Sequence, residues 1–188
     1  MRNKFSLLII FASILLFSGC EQNLSNLDVQ KLNEKAQVYM EQGEYDKAIA
    51  RLESVIDLND TLYQPYYNLG IAYNEKKDYK KSIEALDKAI KLKPDFSDAY
   101  YARSISYESA AFAIINGEED ENSEEVSSSD KAPELTIEQK AFVAEYFEKS
   151  KADLNKYIEI LKDPKDASEV KERILQLEKD IEKYKGNH

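Results

Sequence analysis

The chain has 188 residues, 43% of them apolar, with 26 Lys and Arg against 36 Asp and Glu, a net charge of −10, one Cys and one His. It is long enough to bury a core and too apolar for wholesale disorder. Its acidic balance without a basic cluster argues against nucleic acid as a partner, because phosphate neutralisation supplies most of that affinity. The lone Cys20 allows no internal disulfide or Cys-based metal site, and the lone His188 leaves a Ser-His-Asp arrangement without a base, so neither an enzyme activity nor a cofactor nor a metal is expected.

Residues 1–19 read as a secretory signal: Arg2 and Lys4, then an apolar run from Phe5 to Phe17 broken only by Ser6 and Ser13, then Ser18-Gly19-Cys20. The run is too short to cross a bilayer core, which needs about 20 residues. Leu16-Phe17-Ser18-Gly19-Cys20 resembles the lipobox of bacterial lipoproteins. That resemblance implies diacylglycerol on the Cys20 thiol, cleavage before it, and acylation of the new amine. It places the protein in the bacterial cell envelope, membrane-anchored and extracytoplasmic, on the periplasmic face of the outer membrane if the cell is Gram-negative. The alternative is a plain signal peptide with an incidental free Cys. Residues 20–28 then form the lipidated Cys and a short tether.

From residue 29 a 34-residue period sets in. Tyr39, Tyr73 and Tyr107 keep it, as do Ala36, Gly70 and Ser104, then Tyr45 and Tyr79, Ala48 and Ser82, Leu52 and Leu86, Ile56 and Ile90. These positions resemble the tetratricopeptide repeat (TPR), a helix-turn-helix unit, and residues 63–96 carry its pattern most fully: Tyr66, Leu69, Gly70, Tyr73, Tyr79, Ser82, Leu86, Ala89 and Pro94. The fold expected is an all-α TPR-like solenoid of about three repeats (29–62, 63–96 and 97–164) with a C-terminal capping helix over 166–185. Gly43-Glu44 and Lys77-Asp78 mark the turns inside the first two repeats.

The third repeat is interrupted. Its first helix, from Ser97, continues to Ile115 and stops at Asn116-Gly117. About residues 117–135, rich in Glu and Ser, read as a disordered acidic insert. Thr136-Ile137-Glu138-Gln139 has the form of a capping box, and the repeat resumes with Phe147, Ser150, Leu154 and Ile158, 68 residues after Tyr79, Ser82, Leu86 and Ile90. One whole period is therefore inserted, either as two lengthened helices with a flexible tip or as a decayed extra repeat. After Pro164, Asp166 is placed to cap a last helix whose stripe of Val170, Ile174, Leu177, Ile181 and Tyr184 covers the final repeat or forms a coiled-coil seam.

The TPR resemblance implies a protein or peptide partner, held in a groove lined by Asn33, Gln37, Tyr67, Asn68, Ile71, Tyr101 and Ile105, with Glu34, Glu41, Glu75 and Glu108 near its rim. The alternative for Tyr67 and Tyr101 is packing against the neighbouring repeat or the last helix. Some TPR domains clamp the C-terminal carboxylate of heat-shock chaperones with Lys, Asn and Arg. The matching places here hold Asn33, Gln37, Asn68, Asp98 and Ala102, so only Asn68 agrees and no cation is present. The acidic insert lacks the Gly turn and oxygen spacing of an EF-hand, so it is read as solvated. The function expected is a lipid-anchored scaffold or assembly factor. The rivals are a self-associating structural subunit and a regulatory module of an envelope enzyme.

Overall fold

The computed structural model describes residues 28–117, 134–161 and 167–185. The signal segment, Cys20 with nearly all of the tether, the bulk of the acidic insert and Asp166 lie outside the described residues. Seven helices and no strand occur among those described: α1 (28–41), α2 (Tyr45–Leu58), α3 (Tyr63–Glu75), α4 (Tyr79–Leu92), α5 (Ser97–Asn116), α6 (Ile137–Leu161) and α7 (Ala167–Lys185). The chain divides into two compact units, Met1–Thr61 with α1 and α2, and Leu62–His188 with α3 to α7. Among the described residues no helix is long and apolar enough to cross a membrane.

The repeat governs the turns atom for atom. In the first unit the N–H of Glu44 donates to Tyr39 O at 2.8 Å and that of Gly43 to Met40 O at 3.1 Å. Thirty-four residues on, Asp78 N–H donates to Tyr73 O at 2.9 Å and Lys77 N–H to Asn74 O at 2.9 Å. Both turns need a left-handed residue: Gly43 has φ +70° and Lys77 has φ +63°. A side chain in that region costs roughly 1–2 kcal/mol, against which glycine loses about 0.5–1 kcal/mol in chain entropy. Lys77→Gly is therefore expected to stabilise the fold by up to about 1 kcal/mol, seen as a raised urea midpoint at unchanged slope. A lowered midpoint would show that the lysine's own contacts outweigh the backbone cost.

The same register recurs in the side chains. Lys47 lies 5.5 Å over the Tyr39 ring, Lys81 lies 5.5 Å over Tyr73, and Lys149 lies 5.6 Å over Tyr107. The tyrosines step by one period each, while the last lysine steps by two. The inserted period therefore lengthens the third hairpin, to 20 residues in α5 and 25 in α6 against 13 and 14 in α3 and α4, and the pairing of its helices is restored. Phe147, Ser150 and Leu154 are fully buried, as Ser82 and Leu86 are one hairpin earlier.

Local signals fix where the helices begin and end. Pro65 sits in the first turn of α3, where its missing N–H is not needed. The Asp78 side chain accepts from Lys81 N–H at 3.1 Å and caps α4. Thr136 and Gln139 form a reciprocal capping box on α6, with bonds of 3.1 and 2.9 Å. Gly117, at φ +66°, closes α5 and donates its N–H to Ala113 O and Ile114 O.

In the second unit each helix packs on the next, and α3 also touches α5. Gly70 is the close-approach point of α3 and α4. A Cβ there would come within 2.4 Å of Leu86 Cγ and 2.8 Å of its Cδ2. The Ser82 hydroxyl, facing that gap, donates to Gly70 O at 2.7 Å and lies 2.7 Å from Ser106 Oγ on α5. One core joins α5, α6 and α7 around Ala111, Val143, Phe147, Leu154, Val170, Leu177 and Ile181. The stripe on α7 thus faces into the protein as a cap.

Candidate functional site

In the second unit the candidate groove residues divide between α3 (Tyr67, Asn68, Ile71) and α5 (Tyr101, Ile105), and all five are partly exposed. α3 and α5 touch, but Tyr67 and Ile71 pack on the cluster of Leu86, Ala89, Ala99 and Ala102, whereas Tyr101 packs on the core of α5, α6 and α7. Asn33 and Gln37 lie on α1, in the unit Met1–Thr61. There Gln37 Nε2 donates to Glu41 at 3.0 Å, and the buried Asn33 Oδ1 has no hydrogen-bond partner among the described residues.

Tyr67 belongs to an aromatic cluster built by a short turn. Pro94 and Asp95 end α4, and Phe96 N–H donates to Lys93 O at 3.1 Å, which brings positions 93 and 96 side by side. Tyr100 Oη donates to Pro94 O at 3.1 Å and fastens the turn to α5. Phe96 then meets two rings of α3 edge to face, Tyr63 at 4.8 Å and Tyr67 at 5.0 Å between centroids. The Lys93 ammonium lies 4.5 Å over Tyr63 and 5.5 Å over Phe96, and donates to Tyr63 Oη at 3.1 Å. Burial pushes the Tyr67 phenol up, and the nearby Asp98 carboxylate adds to it. The bond to Tyr63 raises Lys93, with Asp95 and Asp98 contributing. This cluster escaped the sequence reading because the pattern at 93–96 showed only Pro94 as a helix breaker.

Tyr101 has different surroundings. Its ring lies 5.1 Å from Tyr157 of α6, with the Arg173 guanidinium of α7 5.7 Å away over its face. Glu108, expected at the rim, is instead buried at 9% exposure. It accepts from Ser150 Oγ at 2.5 Å and from Arg173 Nε at 3.0 Å. The correction has a simple cause: α6 and α7 bring Ser150 and Arg173 onto a face of α5 that periodicity alone leaves open.

A second charged network lies one turn away on α5. Arg103 makes a bidentate pair with Asp153 of α6, at 2.8 and 2.6 Å, and also bonds Asp87 of α4. Its guanidinium lies 5.7 Å from the Tyr100 ring and 6.0 Å from that of Tyr107. Burial works to lower the Arg103 guanidinium, but its bonds to Asp153 and Asp87 outweigh that and hold it above its ordinary value. Burial pushes the Asp153 carboxyl up against the pull of Arg103. The networks tie α4, α5, α6 and α7 together, and among the described residues no group of His, Cys, Asp and Glu could hold a metal ion.

Comparison with known proteins agrees with this architecture. A tetratricopeptide repeat family model matches residues 63–96, and a TPR repeat model matches residues 36–77. Among solved structures, the first TPR of Spaghetti (RPAP3) bound to the HSP90 peptide SRMEEVD is 19% identical. The match covers 80% of this chain and 92% of that one, at a TM-score of 0.56. The first TPR domain of human RPAP3 is 16% identical over 85% of this chain and 97% of that one, at 0.58. The Arabidopsis OM64 TPR domain is 15% identical over 81% and 98%, at 0.58. At these identities the likeness is one of fold: all-α, with TPR-like helical repeats. No curated protein matches the chain in sequence.

Proposed function

We propose that this chain is a lipid-anchored adaptor of the bacterial cell envelope, which holds another polypeptide against the α3–α5 face of its repeats. The observation that carries the reading is the aromatic surface there: Tyr67 half-buried beside Phe96, with Asn68 and Ile71 partly exposed next to it. Rings of this kind give large contact area with few rotatable bonds. Solved TPR domains with bound HSP90 and HSP70 peptides support a polypeptide as the ligand class. The membrane anchor rests on the lipobox-like Leu16 to Cys20. Two acyl chains make such an anchor stable, at about 0.8 kcal/mol per buried CH₂. A binding module fits these features better than an enzyme.

Two measurements in native envelopes test it. A photo-reactive phenylalanine analogue in place of Asn68 is expected to cross-link a discrete protein, and the same group in place of the exposed Glu84 on α4 is not. Labelled palmitate is expected on the wild-type chain and absent from Cys20→Ala. Equal capture from both positions overturns the binding face, and label that survives Cys20→Ala overturns the anchor.

A further inference from the structure

The aromatic cluster around Phe96 is already occupied by a cation. Three rings, Tyr63, Tyr67 and Phe96, meet edge to face at 4.8 and 5.0 Å, and the Lys93 ammonium fills the space over two of them. Ring faces carry the negative part of the quadrupole, so a cluster of this geometry is a receptor for an ammonium or guanidinium group. Two exposed carboxylates, Asp95 and Asp98, stand at its edge and act on the same ammonium. Lys93 itself is held by one hydrogen bond to Tyr63, by two ring faces and by the two carboxylates, on a side chain that is only partly buried.

We propose that this cluster is a docking site for a lysine or arginine side chain of the partner polypeptide, and that Lys93 is its internal occupant in the free chain. The proposal rests on the polypeptide-binding reading above and specifies the chemistry of the ligand. Charge complementarity selects a basic segment: the chain carries −10, Asp98 stands at a position where an acid-binding clamp would be built, and no clamp position holds Lys or Arg. An acidic tail of the SRMEEVD kind meets carboxylates at this end of the face; a basic one meets rings and carboxylates together. The incoming cation exchanges with Lys93, taking over its ring and carboxylate contacts while the flexible lysine stem turns into water.

The test uses the full chain and two fluorescent decapeptides, one alternating Lys with Ser and the other Glu with Ser, read by anisotropy at low salt. The Lys peptide is expected to bind and the Glu peptide not to. Lys93→Ala removes the internal competitor and is expected to tighten the Lys peptide about two- to fivefold, the range of an exposed cation–π contact. Lys91→Ala, an equal change of charge at an exposed site nearby, controls for net charge and is expected to do less. Phe96→Leu and Asp98→Asn, with circular dichroism unchanged, are each expected to weaken binding about two- to fivefold. The proposal is overturned if Lys93→Ala has no effect beyond that of Lys91→Ala, if the Glu peptide binds equally well, or if neither Phe96→Leu nor Asp98→Asn weakens binding. Discrete cross-linking from position 68 combined with a silent Lys93→Ala removes the cation site and leaves the adaptor reading intact. A Lys93-sensitive peptide without such cross-linking does the reverse.

Discussion

Replacing Arg103 with methionine is expected to cost about 3–5 kcal/mol of stability, the range for breaking a buried pair by removing one partner. The reason is Asp153, which is 5% exposed and loses both bidentate hydrogen bonds at once. The loss is much larger than that of an exposed pair such as Lys156 with Glu159, where water replaces the partner. The double variant Arg103→Met with Asp153→Leu is expected to recover most of the loss, because apolar side chains of similar volume suit the space between α5 and α6. The pH dependence gives a second readout. Burial already pushes the Asp153 carboxyl up, and without Arg103 nothing offsets that. An acid whose folded value is raised binds its proton more readily folded than unfolded. The single variant's deficit should therefore shrink as pH falls toward the ordinary carboxylate value of about 4 and grow above it. Urea unfolding of the three proteins across that range checks both points. A deficit under 1 kcal/mol that is independent of pH would show that water reaches Asp153.

That network also marks the boundary of what the sequence can tell. The repeat register was legible because it is written in residues of one kind at one spacing: Gly70 where α3 meets Leu86, the tyrosines under Lys47 and Lys81, Thr136 and Gln139 three apart at the head of α6. Each is either local or repeated, so a short window or a fixed period reveals it. Arg103 and Asp153 are 50 residues apart and occur once, and nothing in the periodicity distinguishes either from a solvated charge. Glu108 failed for a related reason. Helical phase places it on a face of α5 but says nothing of what covers that face, and Arg173 reaches it from 65 residues away. At the candidate site the same division holds. Tyr67 follows from its register on α3, whereas Lys93 and Phe96 come together through the backbone of a turn, where no period applies.

Phe147→Ala is expected to cost about 3–5 kcal/mol, the range for emptying a fully buried aromatic site. Phe147 has no exposed surface and stands at the centre of the α5–α7 core, 5.6 Å from the Phe112 ring and 6.1 Å from that of Tyr184. The location of the damage is as informative as its size. In a repeat protein stability is nearly a sum over neighbouring contacts, so a cavity weakens the adjoining interfaces first. α7 packs on α6 and has no helix after it among the described residues, so it is the element with least to hold it once the Phe147 contacts go. Native-state hydrogen exchange is therefore expected to show α7 and the adjoining part of α6 opening in the variant while α3 and α4 keep their protection. Phe147→Leu, which leaves most of the volume filled, should cost under half as much and leave α7 protected. Equal loss of protection in every helix of Leu62–His188 would mean that the unit unfolds as one cooperative block, with the Arg103 and Glu108 networks coupling α7 to the repeats more tightly than packing alone does.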